Sequence, residues 1–184
     1  MPFQSRFKHC PACGTAVDYR IPADDNRERA VCPACDAIHY QNPLNVVGTL
    51  PVWEEDGRVL LCRRAIEPRH GLWTLPAGFM ELGETTLEGA LRETQEEAGA
   101  DVAMGELYTL MNVVRVGQVH LFYLARLRST VFDPGPESLE ARLFAEDEIP
   151  WDDLAFKTTR ETLRCFFDDR RQGRGFPLHA IDIP

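Results

Sequence analysis

The sequence predicts an α/β sandwich, a mixed sheet between helices, preceded by a small N-terminal module stapled by metal. Three observations predict it. Two C-x2-C pairs lie in the first 35 residues. Strand-like runs stand before and after one helix-like stretch, the pattern of a layered α/β domain. That stretch and its approach, Gly78 to Ala100 (GFMELGETTLEGALRETQEEAGA), hold six glutamates. The chain has 184 residues, enough for one good core plus a small accessory module.

The N-terminal part comes first. Cys10-Pro11-Ala12-Cys13 and Cys32-Pro33-Ala34-Cys35 are separated by eighteen residues. Pairs at this spacing read as a four-thiolate zinc site, with each pair forming a tight knuckle. Four protein ligands leave no open position, so the role is structural. A module of some forty residues has little core, and a metal is the expected staple. The competing reading, disulfides or redox-active C-x-x-C motifs, lacks a thioredoxin-like βαβ pattern around either pair. Cys62 and Cys165 sit among apolar neighbours and read as packing residues.

The second part starts near Asn45. NVVGTLPVW and RVLLCRR read as strands joined by a turn at Glu54–Gly57. A Gly- and Pro-rich loop, EPRHGLWTLPAGF, follows. Thr86–Ala98 reads as a helix whose apolar stripe is Leu87, Leu91, Thr94 and Ala98, with Gly99 placed to stop it. Strands are expected around Glu106–Asn112, Val119–Leu127 and Leu139–Phe144. A final helix is expected from Thr158, capped through a Thr158/Glu161 box, with Leu163, Phe166 and Phe167 on its apolar face.

Charge narrows the function. The net charge is −9, residues 1–42 are balanced, and the whole deficit lies in residues 43–184. Neither part offers the clustered Lys and Arg of a duplex nucleic-acid surface. No apolar run of about 18 residues is present, so no membrane span is expected, and the N-terminus lacks a signal-peptide core. A cytoplasmic protein is the resulting expectation.

On the central helix, Glu93, Glu96 and Glu97 are spaced one turn apart near the C-terminus. Like charges at that spacing cost a few tenths of a kcal/mol per pair, roughly, and they oppose the macrodipole. An acidic solvated face is the bland explanation. Cations on that face remove the conflict, and hard oxygen ligands at this density suit Mg²⁺ or Mn²⁺. Arg92 directly precedes Glu93 and can hold a carboxylate in place. A backbone carbonyl of the Gly-rich approach can complete a metal shell.

These residues carry a resemblance. Gly78, Glu84, Arg92, Glu93, Glu96, Glu97 and Gly99 fall in register with G-x5-E-x7-R-E-U-x-E-E-x-G-U, the signature of Nudix hydrolases, where U is a bulky aliphatic. Thr94 and Ala100 depart from it at packing positions. Upstream, GLWTLPAGF resembles the family's W-x-L-P-G-G approach, with Ala77 replacing the first Gly. The resemblance implies a zinc ribbon at 1–42, a Nudix α/β/α domain at 43–184, and metal-dependent cleavage of X–P–O–P–Y diphosphates. It makes Glu93 and Glu97 the main metal ligands, with Glu96 and the Ala77 carbonyl assisting and Glu84 and Arg92 orienting loop and helix. The general base varies in the family; Glu93 and the strand residue Glu140 are the candidates. Arg63, Phe79 and Glu81 are the candidate substrate contacts, and Arg64 beside Arg63 at the end of its strand is a second arginine able to reach a phosphate.

The ribbon, HYQNP, VLLCRR, HGLWTLPAGF and PGPESLEARLFAEDEIPWDDLAF together resemble bacterial relatives of plant chloroplast FAD/ADP-ribose pyrophosphatases. Those split FAD to FMN and AMP, or ADP-ribose to ribose 5-phosphate and AMP. NADH pyrophosphatases also carry a ribbon, but their SQPWPFP stretch has no counterpart in YTLMNVVRVGQVHLFYLARL. Many ADP-ribose enzymes have a proline where Val116 stands, and diadenosine polyphosphate enzymes a Tyr that is missing between Val113 and Gln118. The alternatives are an NADH pyrophosphatase, an RNA-cap hydrolase, or a nucleotide sensor that no longer cleaves. Nudix relatives are often dimers, so a homodimer is a further expectation.

Overall fold

The computed structural model describes residues 6–184. The chain divides into two compact units, Met1–Pro43 and Leu44–Pro184. In unit 1, β1 (Asp18–Arg20), β2 (Arg29–Val31) and β3 (Ile38–His39) form a three-stranded antiparallel sheet. Two turns of matching form flank it. The N–H of Gly14 donates to the Cys10 carbonyl and that of Asp36 to the Cys32 carbonyl. Both Gly14 (φ 75°) and Asp36 (φ 55°) take the left-handed conformation that closes such a turn.

Unit 2 is built on a mixed sheet. Its strands are β4 (Leu44–Trp53), β5 (Arg58–Arg64), β6 (Trp73–Thr74), β7 (Ala77–Phe79), β8 (Val102–Val113), β9 (Gln118–Leu127), β10 (Ser138–Phe144) and β11 (His179–Ile183). The order is β10-β5-β4-β9-β8-β11, with β6 on β5 and β7 on β4. The β4–β9 and β8–β11 pairs are parallel and the rest antiparallel. Strand alternation sends Val47 toward α1 (Thr86–Ala98) and Leu50 toward α2 (Lys157–Gln172). The sheet is therefore sandwiched between helices, as the sequence predicts.

Hydroxyl pairs pin the helices to the sheet. Thr49 meets Thr94 at 2.6 Å, Thr74 meets Thr159 at 3.0 Å, and Thr109 meets Thr162 at 3.1 Å, all buried. Thr86 meets the Tyr123 hydroxyl at 2.6 Å. Each satisfies two polar groups that would otherwise cost about 1–3 kcal/mol buried and unpaired.

Three details differ from the sequence expectation. Helix α1 buries Gly89, Ala90, Thr94, Glu97 and Ala98, whereas Leu87 and Leu91 are 38% and 39% exposed. It lies so close to β4 that a Cβ on Gly89 would stand 2.9 Å from Val47, so only small side chains fit beneath it. Helix α2 starts at Lys157 after Phe156, with no side-chain cap. The Thr158/Glu161 box does not form, because Thr158 is already inside the first turn, and Glu161 pairs with Arg164 instead. The Gly/Pro-rich approach supplies the short strands β6 and β7, and β11 completes an edge that sequence patterning did not reveal.

Candidate active site

The six glutamates have different tasks. Glu88 closes a capping box with Thr85, each satisfying the other's backbone N–H at the start of α1. Glu84 accepts from the Glu81 N–H at 2.7 Å and from Arg92 Nε and Nη2 at 3.0 and 2.8 Å. This two-pronged pairing holds the Glu84 carboxyl down at about 2. Arg92 also donates to Glu93 at 2.7 Å, to Glu96 at 3.1 Å and to the Phe79 carbonyl at 3.1 Å. One guanidinium thus ties the loop, strand β7 and the helix together.

Glu97 stands apart from the others in burial, whereas Glu93, like Glu84, is half-buried. Glu97 is 6% exposed, and its Oε2 accepts from the Ala77 N–H at 2.9 Å. Burial pushes its carboxyl up to about 8, and Glu93 adds to the rise. Burial also raises Glu93, against the pull of Arg92. Gly78 makes room for it: a Cβ there would lie 2.4 Å from the Glu93 carboxylate atoms. Two desolvated carboxylates in one place favour a cation as counter-charge, and hard oxygen donors fit Mg²⁺ or Mn²⁺. Among the described residues the hydrogen bonds to these two carboxylates fall on Oε1 of Glu93 and Oε2 of Glu97.

The remaining candidates fall on two faces. Gly78 points toward Glu93, so by alternation Ala77 and Phe79 point to the opposite face. Phe79 is 41% exposed. Arg63 shares that opposite face; its Nε donates to the Gly71 carbonyl at 2.9 Å, and it lies across from Glu140 in the β5–β10 register. Glu140 makes no hydrogen bond or ion pair with α1. Glu81 is exposed and contributes its backbone N–H to Glu84.

Two further residues bear on the buried pair: Arg64, which the sequence marks with Arg63 as able to reach a phosphate, and Glu137, which sequence reasoning passed over. Arg64 is 9% exposed, donates to the Pro68 carbonyl, and exerts an attractive field on Glu97. Glu137 acts repulsively on both Glu93 and Glu97. Its segment is docked on the last turns of α1, where the Asp133 N–H donates to the Ala98 carbonyl. A Cβ on Gly135 would meet the Glu96 carbonyl at 2.1 Å. Only the three-dimensional docking of that segment makes Glu137 visible.

In unit 1 the four cysteine sulfurs all lie within 4.8 Å of one another, the one such group of three or more metal-binding side chains among the described residues. Cys13–Cys32 is 3.4 Å and Cys10–Cys35 3.7 Å. These distances are too long for disulfides and close to the edge, about 3.8 Å, of a tetrahedron of sulfurs around zinc. His39 Nε2 stands 3.3 Å from Cys10 Sγ, placed to donate to a thiolate and steady it.

Comparison with known proteins agrees with this geometry. Residues 43–167 match the NUDIX domain model, and residues 8–41 match the Nudix N-terminal zinc-ribbon model. The chain belongs to the Nudix hydrolase family and carries that family's N-terminal zinc ribbon. It is similar to the crystal structure of a NUDIX hydrolase from Nitrosomonas europaea, with 47% identity, a TM-score of 0.90, and coverage of 96% of this chain and 99% of that one. It is also similar to the NAD-capped RNA hydrolase NudC of Stutzerimonas stutzeri, 28% identical over 95% of this chain and 60% of the relative. The NAD-capped RNA hydrolase of Schizosaccharomyces pombe is 32% identical over 92% of this chain and 45% of the relative. The chain spans about a third to three-fifths of the length of the first curated relatives it matches. No helix among the described residues is long and apolar enough to cross a membrane.

Proposed function

We propose that unit 2 hydrolyses a diphosphate that joins adenosine to a second moiety, FAD or ADP-ribose, and releases AMP. The observation that carries this reading is the Arg92 clamp, which gathers Glu84, Glu93, Glu96 and the Phe79 carbonyl beside buried Glu97. Glu93 and Glu97 are assigned as the main metal ligands, with Glu96 and the Ala77 carbonyl assisting. A divalent cation held by these residues would supply charge neutralisation of the diphosphate and polarisation of the attacking water. Glu84 and Arg92 fix the loop and helix so that these groups are in place before substrate arrives. Of the carboxylates outside α1, Glu137 is the one whose charge bears on both Glu93 and Glu97. It replaces Glu140 as the second candidate, beside Glu93, for taking the proton of the water. The ribbon is assigned a structural Zn²⁺.

A second reading is favoured by the relatives, whose names specify NAD-capped RNA. An NAD cap, FAD and ADP-ribose share an adenosine diphosphate core, so the same residues serve all three. The test is product analysis with FAD, ADP-ribose, NADH and NAD-capped RNA in Mg²⁺ or Mn²⁺. AMP with the highest kcat/KM on FAD or ADP-ribose supports the first reading, and preference for NADH or the capped RNA supports the second. Normal turnover by folded Glu93→Gln protein would remove the mechanism.

A further inference from the structure

On the sheet face opposite α1, one row of aligned residues runs Phe79, Val46, His120, Met111 and Ile181 across β7, β4, β9, β8 and β11. Neighbours in register share a face, so these side chains form one strip. The clustered core under α2 takes in Leu50 and Phe122, and His120 is one alternation beyond Phe122 toward the end that holds Phe79. The strip is otherwise apolar. His120 is its one titratable member.

His120 has a property no other described side chain shares. Its Nδ1 is buried and has no hydrogen-bond partner among the described residues. Its Nε2 lies 2.9 Å from Gln118 Oε1, a pure acceptor, so Nε2 carries the proton and Nδ1 is a lone-pair acceptor. Burial holds the imidazole down to about 4, which keeps this neutral tautomer through the physiological range. A buried acceptor left unpaired is costly, and each such exception in a folded protein calls for an explanation.

Position supplies the partner. Phe79 is 41% exposed, and its own carbonyl accepts from Arg92, so the strip begins at the catalytic clamp. His120 is two strands further, roughly 10 Å at the usual strand spacing. That is the reach of a nucleotide from its phosphate to the far edge of its base. We propose that this strip is the base subsite, where Phe79 and Val46 contact the adenine ring and His120 Nδ1 accepts a hydrogen bond from its 6-amino group. The inference rests on the pyrophosphohydrolase reading above and names the feature of substrate that reading leaves open. A hypoxanthine base presents an oxygen where adenine presents the amine, and two acceptors then face each other.

The test compares kcat/KM for ADP-ribose and its hypoxanthine analogue in the full-length protein, its His120→Phe variant and its His120→Asn variant. The unmodified protein is expected to prefer adenine by about ten-fold or more. His120→Phe brings the ratio near one, and His120→Asn, which keeps an acceptor, restores part of it. Equal rates on both substrates, or an unchanged ratio in folded His120→Phe protein, overturn the proposal. The ¹⁵N shift of His120 Nδ1 gives a reading that needs no variant and no turnover. AMP is expected to move it and IMP to leave it in place. No shift with AMP, or a shift with NMN in place of AMP, overturns the adenine assignment. Failure to cleave either substrate, with the AMP shift intact, instead counts against the pyrophosphohydrolase reading alone.

Discussion

Gly78→Ala tests whether Glu93 acts through its position. A Cβ at residue 78 would lie 2.4 Å from Cδ and both oxygens of Glu93, while an ordinary contact begins at 3.4 Å. The carboxylate must therefore retreat by about 1 Å, and its 2.7 Å bond to Arg92 stretches or breaks. The backbone at Gly78 does not have positive φ, and the atoms struck are the flexible end of a side chain. The fold should survive, helped by the lower chain entropy of alanine, about 0.4–1 kcal/mol. A misplacement of 1 Å in a catalytic group costs roughly 10²-fold in rate, or about 2.7 kcal/mol of barrier. The assay is AMP release from ADP-ribose at saturating Mg²⁺, paired with thermal melting. A folded Gly78→Ala protein with kcat within two-fold of the original would refute the positional account. Gly48→Ala is the contrast: its Cβ would stand 2.4 Å from the Pro76 carbonyl, which is backbone and cannot swing away. That variant should lose about 1–3 kcal/mol of stability by overpacking, read by urea unfolding.

Other outcomes follow from the same contacts. Cys13→Ser should lower bound zinc, measured by elemental analysis, and destabilise unit 1 while leaving kcat within a few-fold; unchanged zinc content removes the four-sulfur assignment. Mg²⁺ or Mn²⁺ should raise Tm, by about 2.7 kcal/mol of stability at a hundred-fold excess over Kd. Glu97→Gln should abolish that shift and raise the metal-free Tm near neutral pH. The sign follows from burial: the Glu97 carboxyl is raised to about 8, so its contribution is full below the ordinary carboxylate range and is lost as pH rises toward 8. His120 runs the other way. Its imidazole is lowered to about 4, so stability is full above the ordinary value near 6.5 and falls as pH drops toward 4, by up to about 3 kcal/mol. The urea midpoint of His120→Phe, followed from pH 7 to pH 4.5, should lack that part of the slope.

What sequence could disclose depended on how local the cause was. The bounds of α1, the stop at Gly99 and the cysteine knuckles rest on neighbours a few residues apart, and each is legible in one dimension. The buried face of α1 is not, because its packing against β4 selects smallness rather than hydrophobicity. Leu87 and Leu91 satisfy the helical period and still face outward. The Thr158 box failed for a related reason. The Thr159 and Thr162 hydroxyls are spent on Thr74 and Thr109, tertiary partners 85 and 53 residues away, and the helix had already begun one residue before Thr158. Glu137 and His39 reach their sites through segment docking and strand register, so neither spacing nor composition marks them. Arg63 and Arg64 are both visible as a phosphate-reaching pair, but nothing in the chain order says which face each strand residue takes.

Helix α1 carries an electrostatic conflict that its fold does not resolve internally. Its last turn has no basic residue, Glu93, Glu96 and Glu97 oppose the macrodipole, and Glu97 is buried besides. Arg92 relieves Glu93 and Glu96, but among the described residues it makes no hydrogen bond or ion pair with Glu97, which accepts from the Ala77 backbone N–H. The restoring interactions lie elsewhere, in the capping box at Thr85 and Glu88 and the hydroxyl pairs at Thr94 and Thr86. These fasten the helix at its start and middle, which lets its acidic end stay under-compensated. A sequence selected for helix stability alone would place lysine in the last turn. The cation proposed for this site would supply the charge that a buried, proton-hungry carboxylate lacks, which gives the under-compensated end of the helix a physical reason.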